Sequence, residues 1–248
     1  MAKDLQGVLP VLHTPYHTDY RIDFDTLAEE IDFAYAQGAD GIVFALASEI
    51  LRLTAEERYQ VAEFLVKQNA DRGSVTMSVG AESTYTAVQF ARQAESAGVS
   101  AMMAIPPLSV SLGEDALRGY YAGILEATTI PLVVQDASSY VGRPMSVEFQ
   151  ARLRVEFGER VYFKPEAPPV GSFITALHAA TNGQAKIYEG SGGTMLAENY
   201  RRGITGTMPG TDLLDAIVAL WKALERGDDA KINAISPLIG AILAMVHS

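Results

Sequence analysis

Short apolar runs alternate with amphipathic stretches along almost the whole chain of 248 residues. The runs are apolar on both faces, which is typical of a parallel sheet covered by helices. Eight runs predict strands, at residues 7–14, 41–46, 75–80, 101–105, 131–136, 161–164, 185–190 and 203–208. The stretches between them have helical periodicity, so the chain consists of repeated strand–helix units.

The intervening stretches carry helix start and stop signals. Asp23 is a good N-cap, Thr54 and Glu57 have capping-box spacing, and Gly98 is a typical C-cap. Helices are predicted at residues 24–37, 54–69, 83–97, 113–127, 146–157, 171–181, 194–201 and 211–226. Eight units in this length favour an α/β fold of the (β/α)8 TIM-barrel type over an open doubly wound sheet. No Gly-x-Gly-x-x-Gly follows the first strand, which disfavours dinucleotide binding.

The chain is predicted to hold one barrel, residues 1–226, and a C-terminal helical segment, residues 227–248. No linker or low-complexity stretch separates the two. The segment is strongly apolar over residues 238–246, so it needs cover from its own barrel or from another subunit.

Composition and charge limit what the protein is expected to bind and where it is expected to occur. The net charge is −11 and the only basic cluster is Arg201–Arg202, so nucleic acid is not an expected partner. No apolar run is long enough for a membrane span. Cysteine is absent, which excludes thiol chemistry and disulfides and suits a cytoplasmic protein. The histidines lack metal-ligand spacing, and His13, inside an apolar run, is interpreted as a core residue.

Lys164 is the most informative residue, because it ends the apolar run that starts at Val161. In a parallel barrel the carboxyl ends of the strands carry the active site. A lysine that is shielded from water there becomes a nucleophile toward carbonyl carbons. Glu166 lies two residues further on, which puts both side chains on one face of an extended strand. The alternative is a structural ion pair between the two.

The ends of other predicted strands supply further candidates. A lysine–carbonyl imine needs a base, a donor for the leaving oxygen and an anchor for the substrate carboxylate. Gln135 joins Lys164 and Glu166 as a catalytic candidate. The substrate-binding candidates are Ser48, Glu49, Asp136, Gly190, Ser191 and Gly192. The glycine-rich turn could instead be only a tight turn, and Asp136 only a structural acceptor.

These residues resemble the dihydrodipicolinate synthase/N-acetylneuraminate lyase family of class I aldolase-type barrels, from about residue 7 to about residue 243. The matching motifs include Thr14-Pro15-Tyr16, the 53–58 segment, Pro106-Pro107, Lys164 and the 203–206 segment. The resemblance implies a Schiff base between Lys164 and pyruvate or another 2-keto acid. It also implies that no metal or cofactor is needed and that the protein is a homo-oligomer, a tetramer or a dimer.

The chain also departs from the usual family pattern. Leu108 and Ser109 stand where the family has two tyrosines, and Gln135-Asp136 replaces a Tyr-Asn pair. The phenol that shuttles protons in the synthase is therefore missing from its usual place. The chain is also shorter than typical members, either naturally or because it is incomplete.

Within the family the motifs are more similar to the 2-keto-3-deoxy-L-arabonate dehydratase subgroup. The shared motifs are Ser48-Glu49, the 134–137 segment Val-Gln-Asp-Ala, the 163–166 segment Phe-Lys-Pro-Glu and Glu189-Gly190. This resemblance implies Glu166 as the base next to the imine, Ser48 as a carboxylate anchor and Gln135 as a contact near the leaving hydroxyl.

The leading hypothesis is a lyase that dehydrates or cleaves a 2-keto-3-deoxy sugar acid, or a similar 2-keto acid, through an imine. The first alternative is condensation of pyruvate with an aldehyde, for which Tyr16 or Tyr140 would have to replace the missing tyrosine. The second alternative is a non-catalytic barrel that binds a keto acid. The exact substrate stays open in each case.

Overall fold

The computed structural model describes residues 5–138 and 144–246, and eight parallel strands form its centre. The strands are β1 (Gly7–Val8), β2 (Gly41–Phe44), β3 (Ser74–Ser78), β4 (Ala101–Ala104), β5 (Leu132–Gln135), β6 (Val161–Lys164), β7 (Lys186–Glu189) and β8 (Gly206–Thr207). They are joined in the order β1-β8-β7-β6-β5-β4-β3-β2. Val43 closes the ring, because its N–H donates to the Pro10 carbonyl and its own carbonyl accepts from the Leu12 N–H. The predicted (β/α)8 barrel is confirmed.

Helices follow the strands and cover the outside of the barrel. They are α1 (Phe24–Gln37), α2 (Ala55–Asn69), α3 (Thr84–Ala97), α4 (Glu114–Glu126), α5 (Val147–Phe157), α6 (Val170–Ala180), α7 (Leu196–Tyr200), α8 (Leu214–Arg226) and α9 (Asp229–Val246). The predicted caps are present: Asp23 accepts from the N–H groups of α1, Thr54 and Glu57 form the capping box of α2, and Gly98 ends α3 in the left-handed region.

The first and last strands are shorter than predicted. β1 has 2 residues where the sequence indicated residues 7–14, because Pro10 lacks an N–H and interrupts the regular ladder. Single bonds continue the pairing beyond it, from the Leu9 N–H to the Thr207 carbonyl at 2.9 Å and from the Val11 N–H to the Pro209 carbonyl at 2.7 Å. Isolated bonds therefore extend the β1–β8 pairing beyond its two regular residues.

Alternation along β6 decides where the lysine side chain points. Tyr162 belongs to the cluster inside the barrel, with Val43, Met103 and Tyr188, whereas Phe163 belongs to the core between strands and helices. Successive side chains of a strand point to opposite faces. Lys164 therefore lies on the inner face, at the carboxyl end of β6.

The C-terminal helix α9 packs on its own barrel. Ile232 and Ile239 are buried in the main core, while Leu238, Ile242 and Met245 are exposed. The sequence predicted that this segment would be covered by its own barrel or by another subunit. The barrel covers one face of the helix. In the part of the chain that the structure describes, no helix combines the length and hydrophobicity required for a bilayer span.

Candidate active site

Lys164, Glu166 and Gln135 meet at the carboxyl ends of β5 and β6. Gln135 and Lys164 are register partners in the two neighbouring strands. The Lys164 Nζ lies 3.2 Å from the Glu166 Oε1, and the Gln135 Nε2 donates to the same oxygen at 2.9 Å. The side chains of Lys164 and Glu166 are 7% and 18% exposed. The prediction that the spacing puts Lys164 and Glu166 on one face is confirmed.

This arrangement leaves one polar atom ready for a ligand. The Gln135 Oε1 is buried and, within the described residues, has no hydrogen-bond partner. Buried polar atoms are nearly always paired, so an unpaired one beside a lysine and a carboxylate is suited to accept a bond from a bound hydroxyl.

Asp136, the residue after Gln135, is bonded to the protein main chain. Its carboxylate accepts from the N–H groups of Glu166 at 3.0 Å, Ala167 at 3.4 Å and Ser138 at 3.3 Å. Burial, together with the nearby Glu166 charge, raises the pKa of the Asp136 carboxyl above its ordinary value, although these three bonds oppose the shift. The contacts match the structural-acceptor interpretation of this residue.

Gly190 lies directly against the lysine. A Cβ added at Gly190 would be 2.8 Å from the Lys164 Cε and 3.4 Å from the Glu166 Oε1. Non-bonded carbon atoms pack at about 3.5–4.0 Å, so a side chain here would displace the lysine. The first residue of the glycine-rich turn thus provides space for Lys164.

Glu189 supports the turn that follows β7, a role that the sequence reasoning missed. Its fully buried carboxylate accepts from the Ser191 N–H at 2.6 Å and from the Thr207 Oγ1 at 2.8 Å. Gly192 and Gly193 have φ values of 69° and 101°, which favour glycine. The sequence did contain a sign of this role, namely an acidic residue inside an apolar strand. A carboxylate that is buried there needs hydrogen-bond donors around it.

Ser48 and Glu49 lie in the short 3₁₀ turns after β2. The Ser48 hydroxyl donates to the Leu12 carbonyl at 2.5 Å and accepts from the Ala45 N–H at 3.0 Å. Glu49 adopts a φ of 55° and pairs with Arg52. The Ser48 hydroxyl and the Ser191 N–H are thus bonded within the protein, and either would have to exchange its partner to hold a substrate carboxylate.

His13 is not a core residue, so that interpretation was wrong. Its side chain is 51% exposed, and its Nδ1 lies 2.8 Å from the Glu30 Oε1 and 3.2 Å from the Thr211 Oγ1. The regular part of β1 ends at Val8, so His13 lies beyond the ladder and pairs with α1.

Comparison with known proteins places this geometry in a family. The model of the dihydrodipicolinate synthetase family matches residues 4–246. An L-2-keto-3-deoxyarabonate dehydratase from Azospirillum brasilense is 28% identical over 94% of this chain and 78% of its own length. A 4-hydroxy-tetrahydrodipicolinate synthase from Neisseria gonorrhoeae is 31% identical over 74% of this chain and 63% of its own length.

A solved structure has the same fold. It is a prophage protein from Escherichia coli K12, described as belonging to the dihydrodipicolinic acid synthase family and crystallised with pyruvate. Its TM-score is 0.91 at 20% identity, over 98% of this chain and 83% of that one. The chain thus spans 83% of this structure and 78% and 63% of the two relatives.

Proposed function

The chain belongs to the dihydrodipicolinate synthetase family, and we propose that it is a lyase that forms an imine between Lys164 and a 2-keto acid. The observation that carries the proposal is the convergence of Lys164, Glu166 and Gln135 at the strand ends. The lysine amine lies 3.2 Å from one carboxylate oxygen, and the Gln135 amide holds that same oxygen at 2.9 Å.

The proposed reaction begins when the Lys164 amine attacks the keto carbon and water leaves, which gives the imine. The imine withdraws electrons and makes the protons on the adjacent carbon acidic. Glu166 takes one of these protons, because its carboxylate lies next to the amine and has a fixed orientation. Gln135 contacts the leaving hydroxyl through its unpaired Oε1.

The substrate that fits best is a 2-keto-3-deoxy sugar acid. Loss of the hydroxyl two carbons from the imine carbon gives dehydration, and the hydroxyl leaves as water with the proton that Glu166 has taken up. Cleavage of the bond between the hydroxyl-bearing carbon and the carbon next to the imine carbon gives a retro-aldol reaction instead. The similarity to the Azospirillum brasilense dehydratase supports dehydration. Ser48, Gly190, Ser191 and Gly192 are proposed to hold the substrate carboxylate, with Glu49 as a further polar contact. The main-chain bonds of Asp136 favour its structural-acceptor alternative over a substrate contact.

Condensation of pyruvate with an aldehyde is the second candidate, and the Neisseria relative favours it. It needs a phenol as proton shuttle, and this chain has Leu108, Ser109 and Gln135 where the family has tyrosines. The Ser109 N–H is bonded to Glu82. Tyr16 is 39% exposed, and burial followed by the Glu49 and Glu57 charges raises its pKa, which disfavours the phenolate form that a proton shuttle passes through. Tyr140 lies outside the described residues.

Borohydride trapping tests the imine directly. Wild type and Lys164→Arg are incubated with pyruvate, reduced, and measured by intact mass. We expect a pyruvate-sized gain in the wild type alone. A folded wild type that traps neither pyruvate nor longer 2-keto acids would favour a non-catalytic keto-acid-binding barrel instead.

Product analysis then separates the reaction types. With 2-keto-3-deoxy sugar acids as substrates, a dehydratase releases water and keeps the carbon chain, whereas an aldolase releases pyruvate. A synthase consumes pyruvate only when an aldehyde is added.

The assembly is proposed to be a cytoplasmic homo-oligomer, a dimer or a tetramer. The exposed apolar side chains Leu238, Ile242 and Met245 of α9 support a subunit contact. The absence of cysteine is consistent with the compartment. Light scattering on the purified protein would test the assembly, and a monomer at all concentrations would contradict it.

A further inference from the structure

The chain between Lys164 and Glu166 leaves the β-ladder. Pro165 has no N–H to donate, so strand pairing cannot continue through it. The last ladder bond on this side runs from the Asp136 N–H to the Lys164 carbonyl at 3.3 Å. The structure must therefore hold Glu166 by other means.

Asp136 holds this segment with both of its carboxylate oxygens. The Oδ1 accepts from the Glu166 N–H at 3.0 Å, and the Oδ2 accepts from the Ala167 N–H at 3.4 Å. Asp136 thus binds the chain on both sides of Pro165. Its N–H donates to the Lys164 carbonyl, and its carboxylate accepts from the N–H groups of Glu166 and Ala167.

The contacts around Asp136 also limit what else it can do. The residue is 1% exposed, and its carboxylate has main-chain donors from Ser138, Glu166 and Ala167. Without the carboxylate, the N–H groups of Glu166 and of the buried Ala167 would lose their acceptor, and an unpaired buried donor costs about 1–3 kcal/mol. These contacts leave little capacity for a bond to substrate.

We propose that Asp136 is a positioning residue that fixes the main chain at Glu166, and through it the carboxylate that faces Lys164, without contacting the substrate. This inference rests on the proposed function. The neighbouring Gln135 holds the side chain of Glu166, because its Nε2 donates to the Glu166 Oε1 at 2.9 Å. Consecutive residues at the end of β5 thus hold the main chain and the carboxylate of Glu166 separately.

The test compares Asp136→Ala and Asp136→Asn with Glu166→Gln and the double variant Asp136→Ala/Glu166→Gln. Asparagine has a similar shape and keeps one acceptor oxygen, so it serves as the conservative variant in case alanine fails to fold. Imine trapping with pyruvate, kcat and KM are measured on each, together with amide hydrogen exchange over residues 164–169 and, as a reference, over β3 and β4.

We expect Asp136→Ala to trap pyruvate as the wild type does, while kcat falls about 10²-fold and KM changes little, because a small misplacement of a base is costly. Asp136→Asn recovers part of kcat. The double variant is no slower than Glu166→Gln alone, since residues that act as one unit are not additive. The amides of Glu166 and Ala167 exchange faster in the alanine variant, and those of β3 and β4 do not.

Other results would overturn the inference. Unchanged kcat in a folded Asp136→Ala, or losses that multiply with Glu166→Gln, would show that Asp136 does not act through Glu166. A raised KM with unchanged kcat would make it a substrate contact. If the wild type traps no keto acid, the proposed function fails and the catalytic part of the inference with it, while hydrogen exchange still decides whether Asp136 holds the main chain.

Discussion

Gly190 and Lys164 are in such close contact that a methyl group on the glycine would lie 2.8 Å from the lysine Cε. Lys164 ends β6, and Gly190 directly follows the neighbouring strand β7. The lysine side chain therefore has its position because the residue after the adjacent strand has no side chain.

Gly190→Ala is expected to weaken catalysis more than folding. The atom that meets the new methyl group is the mobile end of a lysine side chain, so the lysine moves and the main chain does not. We expect imine formation with pyruvate to slow by about 10- to 100-fold, since reacting groups tolerate little misplacement. The rate of trapping by borohydride measures this.

Gly119→Ala is the matched control, because nothing lies within 4 Å of a Cβ built at Gly119. It should trap pyruvate at the wild-type rate. If Gly190→Ala also traps at that rate, the contact with Lys164 has no catalytic consequence.

Glu166→Gln should separate imine formation from turnover. The amide keeps the size of the side chain but cannot take a proton, so the imine with pyruvate still forms and turnover of a 2-keto-3-deoxy acid falls about 10²- to 10⁴-fold. Single-turnover kinetics would measure both steps. Glu198→Gln, which alters an exposed side chain of α7, is the control, and equal turnover in the two variants would remove Glu166 from the mechanism.

Thr207→Val should destabilise the fold through Glu189. The valine keeps the shape of the threonine but removes the hydroxyl that donates to the buried Glu189 carboxylate at 2.8 Å. Loss of a bond to a buried charged group costs about 1.5–3 kcal/mol in the free energy of unfolding. Denaturant unfolding would measure it against Thr84→Val, an exposed position, and equal stability of the two variants would disprove the role of this bond.

The ion pair between Glu159 and Lys186 should make the free energy of unfolding depend on pH. Hydrogen bonds from Lys186 and then from Arg154 lower the pKa of the Glu159 carboxyl from 4.5 to about 2. A lowered folded-state pKa gives stability that is present above the unfolded pKa and is lost as the pH falls through the folded one. Because the Glu159 side chain is 71% exposed, solvent and salt weaken the effect.

The unfolding free energies of the wild type and Glu159→Gln should therefore differ most near neutral pH. The difference should shrink as the pH falls from about 4.5 to about 2. Glu29→Gln, on the exposed side of α1, is the control. A difference that stays constant over this range would contradict the pKa shift.

The order of strands and helices and the pairing of Lys164 with Glu166 were predictable from sequence, because both depend on local spacing. Apolar runs of the right length give strands, and alternation places residues 164 and 166 on one face. The buried Glu189 was missed because its donors, Ser191 and Thr207, come together only when β7 and β8 pair.

Contacts between residues far apart in sequence also explain why the position of His13 and the contacts of Asp136 were not predicted. The position of His13 depended on where β1 stops, which Pro10 decides in combination with the partner strands. The bonds from Glu166 and Ala167 to Asp136 join residues about thirty positions apart, a separation at which sequence spacing carries no information.

Locating the reduced adduct on the chain tests the imine-forming role of Lys164 most directly. Wild type is incubated with pyruvate, reduced with borohydride, digested and mapped by tandem mass spectrometry across its lysines, with Lys164→Arg in parallel. We expect a pyruvate-sized adduct on Lys164 alone and none in the variant. An adduct spread over Lys67, Lys186 and Lys222, or retained in Lys164→Arg, would contradict the assignment of Lys164 as the imine-forming residue.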